Sequence, residues 1–176
     1  LTVAGKKGTE TNKAKLDVIY ILDKSGSMKE DFGGTSKRIA ASNAITALTK
    51  SLKQNANIDA RFSMVTFSGN KTTGMWGQGD TKTWDDAEVA VSWTTDAGTI
   101  ERGSKPTSNG GTNYQAGIRT AKELLTSKRA GAMTAVIFIS DGDPTFYYNP
   151  DGYTRGDGNN DGNGGADNLK VCLDAA

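Results

Sequence analysis

The stretch Leu16–Met28, LDVIYILDKSGSM, limits what this chain can fold into more than any other. From Leu16 to Leu22 every residue except Asp17 is apolar, and Val18, Ile19, Tyr20 and Ile21 run unbroken. A run without alternation, closed by turn residues, fits a strand buried on both faces of a parallel sheet. It stops abruptly at Asp23-Lys24-Ser25-Gly26-Ser27. One carboxylate and two hydroxyls thus stand at alternate positions at the carboxyl end of a central strand, where open α/β sheets carry their ligand sites. All three side chains offer only oxygen, the donor that a hard cation such as Mg²⁺ takes.

The remaining chain supplies the other elements of an α/β fold. Thr35 or Ser36 caps a helix running to about Asn55, with Ala41, Ile45, Leu48 and Leu52 on its apolar face. Ile58–Ser68 reads as a second strand, and Glu88–Thr94 as a short antiparallel edge strand. A helix with Tyr114, Ile118, Ala121 and Leu125 on one face starts at Thr112 or Asn113, and Lys128 and Arg129 favour its carboxyl end. Met133–Ser140 is a second continuous apolar run, hence another central parallel strand. It also ends in an acidic turn, Asp141-Gly142-Asp143-Pro144. Leu169, Cys172, Leu173 and Ala176 mark a last helix. Right-handed crossovers are expected throughout. Residues 1–15 read as a polar linker and 16–176 as one domain, with loop inserts near 69–86, 95–111 and 145–165.

Composition removes several functions. The 176 residues suffice for one domain with a real core. A net charge of +1 gives no field for nucleic acid or an anionic membrane. No apolar run is long enough to span a bilayer. The chain has one cysteine, Cys172, and no histidine. An intrachain disulfide, a Cys/His zinc site and a Ser-His-Asp arrangement are therefore all excluded. Leu1–Lys15 holds no hydrophobic targeting segment, so an exported protein carries that segment outside this chain.

Two buried strands ending in acidic turns, with Asn109-Gly110-Gly111-Thr112-Asn113 between them, invite one reading. If the strands are neighbours, Asp23, Ser25, Ser27, Thr112 and Asp141 converge and offer five oxygens to an octahedral Mg²⁺ with a position open to an outside ligand. Taken singly, each residue has an ordinary role in ending a strand or capping a helix. It is the agreement of three separate segments that favours the metal.

Asp23-Lys24-Ser25-Gly26-Ser27, Gly111-Thr112-Asn113-Tyr114 and Ile139-Ser140-Asp141-Gly142-Asp143-Pro144 resemble the three parts of the metal-ion-dependent adhesion site of von Willebrand factor A domains. The resemblance covers about Leu16 to Ala176. It implies a Rossmann-like fold: a mostly parallel sheet with one antiparallel edge strand, helices on both faces, and strand order 3-2-1-4-5-6. It also implies that Ser25, Ser27 and Thr112 are hydroxyl ligands, that Asp23 and Asp141 act directly or through water, and that a partner's carboxylate fills the open position. The first motif, the Gly-rich inserts and the lack of disulfides are similar to a Gram-positive pilus tip adhesin. The chain departs from the family after Leu169, where two further strands and their helices are expected. That predicts a bare apolar edge on Met133–Ser140 and a fragment whose fold is completed by a second chain or by lost polypeptide.

The function so implied is metal-dependent adhesion at the cell surface. Mg²⁺, or else Mn²⁺ or Ca²⁺, bridges to an acidic residue of a host matrix or surface protein, and other pilus subunits are further partners. The alternatives are an intracellular scaffold or chelatase-type module and a metal-assisted hydrolase. Hydroxyl-rich ligation speaks against hydrolysis, since neutral donors leave the cation more electrophilic toward a carboxylate. Weaker signals remain. Asp157–Asn163 resembles the front of a Ca²⁺ loop but has Asn168 where a bidentate acid belongs, so it reads as a flexible acidic loop. Arg155-Gly156-Asp157 is a short integrin-type tripeptide that recurs by chance. Trp76, Trp84, Trp93, Tyr147, Tyr148 and Tyr153 suit either binding arms or the packing of inserts. Cys172 reads as a small core residue.

Overall fold

Val18, Ile19, Tyr20, Ile21 and Leu22 are at most 2 % exposed, because the strand that carries them has neighbours on both edges and helices on both faces. In the computed structural model, which describes residues 12–69, 86–148 and 154–156, this strand is β1, Ala14–Asp23. A single-turn 3₁₀ helix, Gly26–Lys29, follows it. Then come α1 (Lys37–Gln54), β2 (Ile58–Phe67), β3 (Ala87–Thr94), α2 (Ala97–Gly103), α3 (Tyr114–Leu125) and β4 (Met133–Ile139). A two-stranded ladder pairs β5 (Tyr147–Tyr148) with β6 (Thr154–Arg155), antiparallel.

The main sheet has the order β3-β2-β1-β4. β1 pairs parallel with β2 and with β4, and β2 pairs antiparallel with β3. Chain order therefore reverses between β1 and β4, and their carboxyl ends flank the crevice of a doubly wound sheet. The register opposes Leu22 to Ile139, which brings the turns after both strands side by side.

Alternation along β1 sorts its side chains between two cores. Val18, Tyr20 and Leu22 meet Phe62, Met64, Ile45 and Ile100 under α1 and α2. Ile19 and Ile21 meet Val65, Phe67 and Ala121 under α3. Each such side chain contributes roughly 1.5–3 kcal/mol on leaving water. Gly117 lets α3 lie close: a Cβ there would stand 2.9 Å from Ile21 Cγ2 and from Phe67 Cδ1.

Several sequence expectations need correction. Of the apolar face expected on α1, Ile45 is buried and Ala41 and Leu52 pack against the same core, but Leu48 is 38 % exposed and the polar Ser42 and Thr49 are buried in addition. Polar side chains are tolerated inside because each finds a partner: Thr49 Oγ1 bonds Tyr20 OH at 2.9 Å and Ser42 Oγ bonds Ser104 Oγ at 2.6 Å. The segment 95–111, expected as loop, contains α2, nucleated by Asp96, whose carboxylate accepts from Gly98 N and Thr99 N. Segment 145–165 likewise carries β5 and β6. Arg129 does not serve the end of α3. Its guanidinium donates to Asp17 Oδ1 at 2.8 Å and to Asp59 Oδ2 at 2.7 Å, because a buried carboxylate competes for it more strongly than a helix dipole. β4 pairs parallel with β1 as its apolar run implied, and the bare apolar edge expected on it is present among the described residues: β4 is the outer strand, and Met133, Val136 and Phe138 are 67, 48 and 38 % exposed. The helix expected near Leu169 and Cys172, the Asp157–Asn163 loop, and Trp76, Trp84 and Tyr153 lie outside the described residues.

Candidate metal centre

Three loops close around the carboxyl ends of β1 and β4. The β1 turn is tied to the loop before α3 by Gly26 N to Gly110 O at 2.8 Å and by Asn109 N to Lys24 O at 2.7 Å. Gly110 has φ +78°, and a Cβ there would lie 2.4 Å from Gly69 O, so this crossing requires glycine. The same loop receives the chain after β4: Thr145 N and Phe146 N both donate to Thr112 O at 2.9 Å. Thr145 Oγ1 in turn accepts from Thr112 N at 2.9 Å. Asn113 caps α3 by accepting from Ala116 N at 3.2 Å, and its amide donates to Asp86 Oδ2 at 2.8 Å. Thr112 is thereby held from both sides.

These ties leave a cleft of about 380 Å³. Ser25, Ser27, Thr112 and Asp141 line it together with Glu30, Lys37, Asp143, Thr145 and three glycines. Four of the five expected site residues therefore share one cavity. The fifth, Asp23, has no exposed surface and does not line the cleft. It is bonded to a cleft residue from behind: Ser25 N donates to Asp23 Oδ1 at 2.6 Å. Ser25 Oγ and Ser27 Oγ are 3.1 Å apart, and Ser27 Oγ donates to Asp141 Oδ1 at 2.9 Å. A continuous chain of oxygens thus runs from β1 to the turn after β4.

Two residues not assigned from the sequence shape this site. Ser140 Oγ donates to Asp23 Oδ2 at 2.6 Å and accepts from Tyr114 OH at 2.9 Å. Gly142 O competes with Ser140 Oγ for the one proton of the Tyr114 hydroxyl. Lys37, at the start of α1, donates to Glu30 Oε2 at 2.7 Å and to Asp141 Oδ2 at 2.9 Å. Ser140 stood inside the third motif, and only its hydroxyl beside two acids hinted at a role. Nothing in the spacing of Lys37 pointed to the site.

Burial pushes the Asp23 carboxyl above its ordinary pKa, the bonds from Ser140 and Ser25 oppose that, and the charge of Asp141 adds to it. Burial likewise raises the Tyr114 phenol. The bond to Glu30, then that to Asp141, raises the Lys37 ammonium.

The donor set fits a hard cation: hydroxyls and carboxylates within one hydrogen-bonded chain, with neither sulfur nor imidazole. No group of three or more His, Cys, Asp or Glu side chains capable of holding a metal occurs among the described residues. A cation in this cleft would therefore depend on the hydroxyls of Ser25, Ser27 and Thr112. No helix among the described residues is long and apolar enough to cross a membrane.

The chain has relatives of known structure. The von Willebrand factor domain of a type V pili tip protein from Porphyromonas gingivalis is similar at a TM-score of 0.58 and 17 % identity, covering 77 % of this chain and 40 % of that one. An adhesive tip pilin from Group B Streptococcus agalactiae is similar at 0.56 and 21 %, covering 76 % and 47 %. A pilus adhesin from Lactobacillus rhamnosus GG is similar at 0.60 and 21 %, covering 82 % and 19 %. This chain spans less than half the length of each. No curated protein sequence matches it. The family model described as the von Willebrand factor type A domain matches residues 17–154, a span holding most of β1, all of β4 and all three loops of the cleft, and the chain belongs to that family.

Proposed function

We propose that this domain is a metal-dependent adhesion module of a bacterial surface or pilus protein. It binds an acidic residue of a host extracellular-matrix or cell-surface protein through a divalent cation, Mg²⁺ or alternatively Mn²⁺ or Ca²⁺. The observation that carries this reading is the convergence of Ser25, Ser27, Thr112 and Asp141 on one open cleft, with Asp23 bonded behind Ser25. The similar structures are pilus tip proteins and adhesins, which favours the outside of a cell and other pilus subunits as neighbours.

A bound cation would supply a Lewis-acidic position for the partner's carboxylate. The protein's own residues do the rest. Ser25, Ser27 and Thr112 are neutral donors, so they leave more of the cation's charge for the ligand than a set of carboxylates would. Asp23 and Ser140 fix the β1 turn from below. The loop ties through Gly110 and Thr145 hold Thr112 opposite. Pre-organisation of this kind lowers the cost of ordering the site on binding. With no histidine in the chain, none of these groups is paired with the usual general base, so the arrangement suits binding rather than turnover.

The test is retention of the domain on immobilised matrix proteins in millimolar Mg²⁺ and in EDTA, with Asp23→Ala alongside. Retention that needs Mg²⁺ and is lost in Asp23→Ala is the expected result. Equal retention in EDTA, or no effect of the substitution, rejects the metal bridge.

A further inference from the structure

Among the described residues, Lys37 is the one cationic side chain that lines the cleft. Its ammonium lies 2.9 Å from Asp141 Oδ2 and 2.7 Å from Glu30 Oε2. The side chain of Asp141 is only 8 % exposed, and its other oxygen accepts from Ser27. The carboxylate that a divalent cation would use is therefore already held on one side by a charge of the protein's own. Among the described residues, the remaining charged groups around the cleft are Glu30, Asp141 and Asp143, with Asp23 beneath. Lys37 is also fixed in position. It begins α1, its backbone N donates to Glu30 O at 3.0 Å, and its side chain is 24 % exposed.

We propose, resting on the cation reading above, that Lys37 is a resident competitor for Asp141 that lowers divalent-ion affinity and sets the concentration at which the cleft loads. The physical reason is direct. An ammonium and a dication sharing one carboxylate repel each other across a few ångströms, in surroundings less polarisable than bulk water. Glu30 moderates the effect by sharing the ammonium, so the competition is partial rather than absolute. A cleft adjusted in this way fills and empties with the ion level around it, instead of holding its ion permanently.

The experiment is calorimetric titration of the whole chain with MgCl₂ and with MnCl₂, for the parent, Lys37→Gln and Lys37→Arg. Lys37→Gln removes the charge and keeps a polar side chain of similar reach. Lys37→Arg keeps the charge. Lys37→Gln is expected to bind Mg²⁺ roughly three- to tenfold more tightly than the parent, and Lys37→Arg within about twofold of it. Melting curves in EDTA check that each variant is folded, and Lys37→Met replaces Lys37→Gln if the latter is not. Equal or weaker binding by Lys37→Gln overturns the proposal while leaving the metal reading intact. So does Lys37→Arg binding as tightly as Lys37→Gln, since charge would then not be the cause. Absence of Mg²⁺ and Mn²⁺ binding in the parent and every variant overturns both.

Discussion

Replacing Asp17 with asparagine probes the polar cluster at the opposite end of β1 from the cleft. Asp17 has no exposed surface. Its carboxylate accepts from Arg61 Nε at 3.0 Å and Arg61 Nη2 at 2.8 Å, and from Arg129 N and Nε, each at 2.8 Å. The Arg61 guanidinium also stacks 4.2 Å from the Trp93 ring centroid. Burial alone would raise the Asp17 pKa, but the bonds from Arg61 and Arg129 outweigh it and bring the pKa from 3.8 down to about 2. At roughly 1.4 kcal/mol per pKa unit, ionised Asp17 contributes about 2 kcal/mol near neutral pH. The folded-state pKa lies below the unfolded one, so this stability is present above 3.8 and is lost as pH falls toward 2. About half of it remains near pH 3. Asp17→Asn also deprives two arginines of their shared counter-charge, which brings its full cost to about 3–5 kcal/mol at neutral pH. Urea unfolding of the parent and the variant, near pH 7 and near pH 3, measures this. The gap between them is expected to narrow by about 1 kcal/mol at the lower pH. A gap under about 1 kcal/mol at neutral pH, or one that does not change with pH, refutes the reasoning.

Gly117→Ala gains helix propensity but places a Cβ 2.9 Å from both Ile21 and Phe67. Overpacking wins, and a loss of about 1–2 kcal/mol in chemical denaturation is expected, whereas a gain would show that α3 shifts freely. Asn113→Asp keeps the cap on Ala116 but turns the amide that donates to Asp86 Oδ2 at 2.8 Å into a second buried carboxylate. Two such acids raise each other's pKa, so the variant should be destabilised at neutral pH and recover as pH falls through the carboxylate range. A stability deficit that is flat from about pH 7 to about pH 4 would contradict that.

The apolar run of β1 was legible because a strand covered on both faces has no polar positions to blur it; that of β4 is equally continuous in sequence although Met133, Val136 and Phe138 are exposed. The turns after β1 and β4 were legible for a related reason: they close those runs at fixed places, and the topology β3-β2-β1-β4 brings them together, while Gly110-Gly111-Thr112 was marked by its glycines before a helix start. The apolar part of the inner face of α1, Ala41, Ile45 and Leu52, was legible, but its buried polar positions were not. Thr49 and Ser42 are buried through hydrogen bonds to Tyr20 and Ser104, residues 29 and 62 positions away. No period in the local sequence reports such partners. The helix α2 was missed because two glycines and two β-branched residues in AGTIERG argue against a helix, while its Asp96 cap and the fully buried Ile100 decide for it. Lys37 escaped for the same reason as Thr49, since its partner Asp141 stands 104 residues away. The sequence left open whether Asp23 acts directly or through water; its oxygens pair with Ser25 N and Ser140 Oγ behind the cleft, partners that no local pattern reports.

The most direct test of the central claim is the melting temperature of the chain against Mg²⁺ concentration, with Asp141→Ala beside it. A cation held only by the folded cleft adds about 2.7 kcal/mol at one hundred times its dissociation constant, which is several degrees for a domain of this size. The account predicts a saturable rise in the parent, reversed by EDTA, and no rise in Asp141→Ala. A melting temperature that is the same in millimolar Mg²⁺ and in EDTA, or an equal rise in Asp141→Ala, would contradict it.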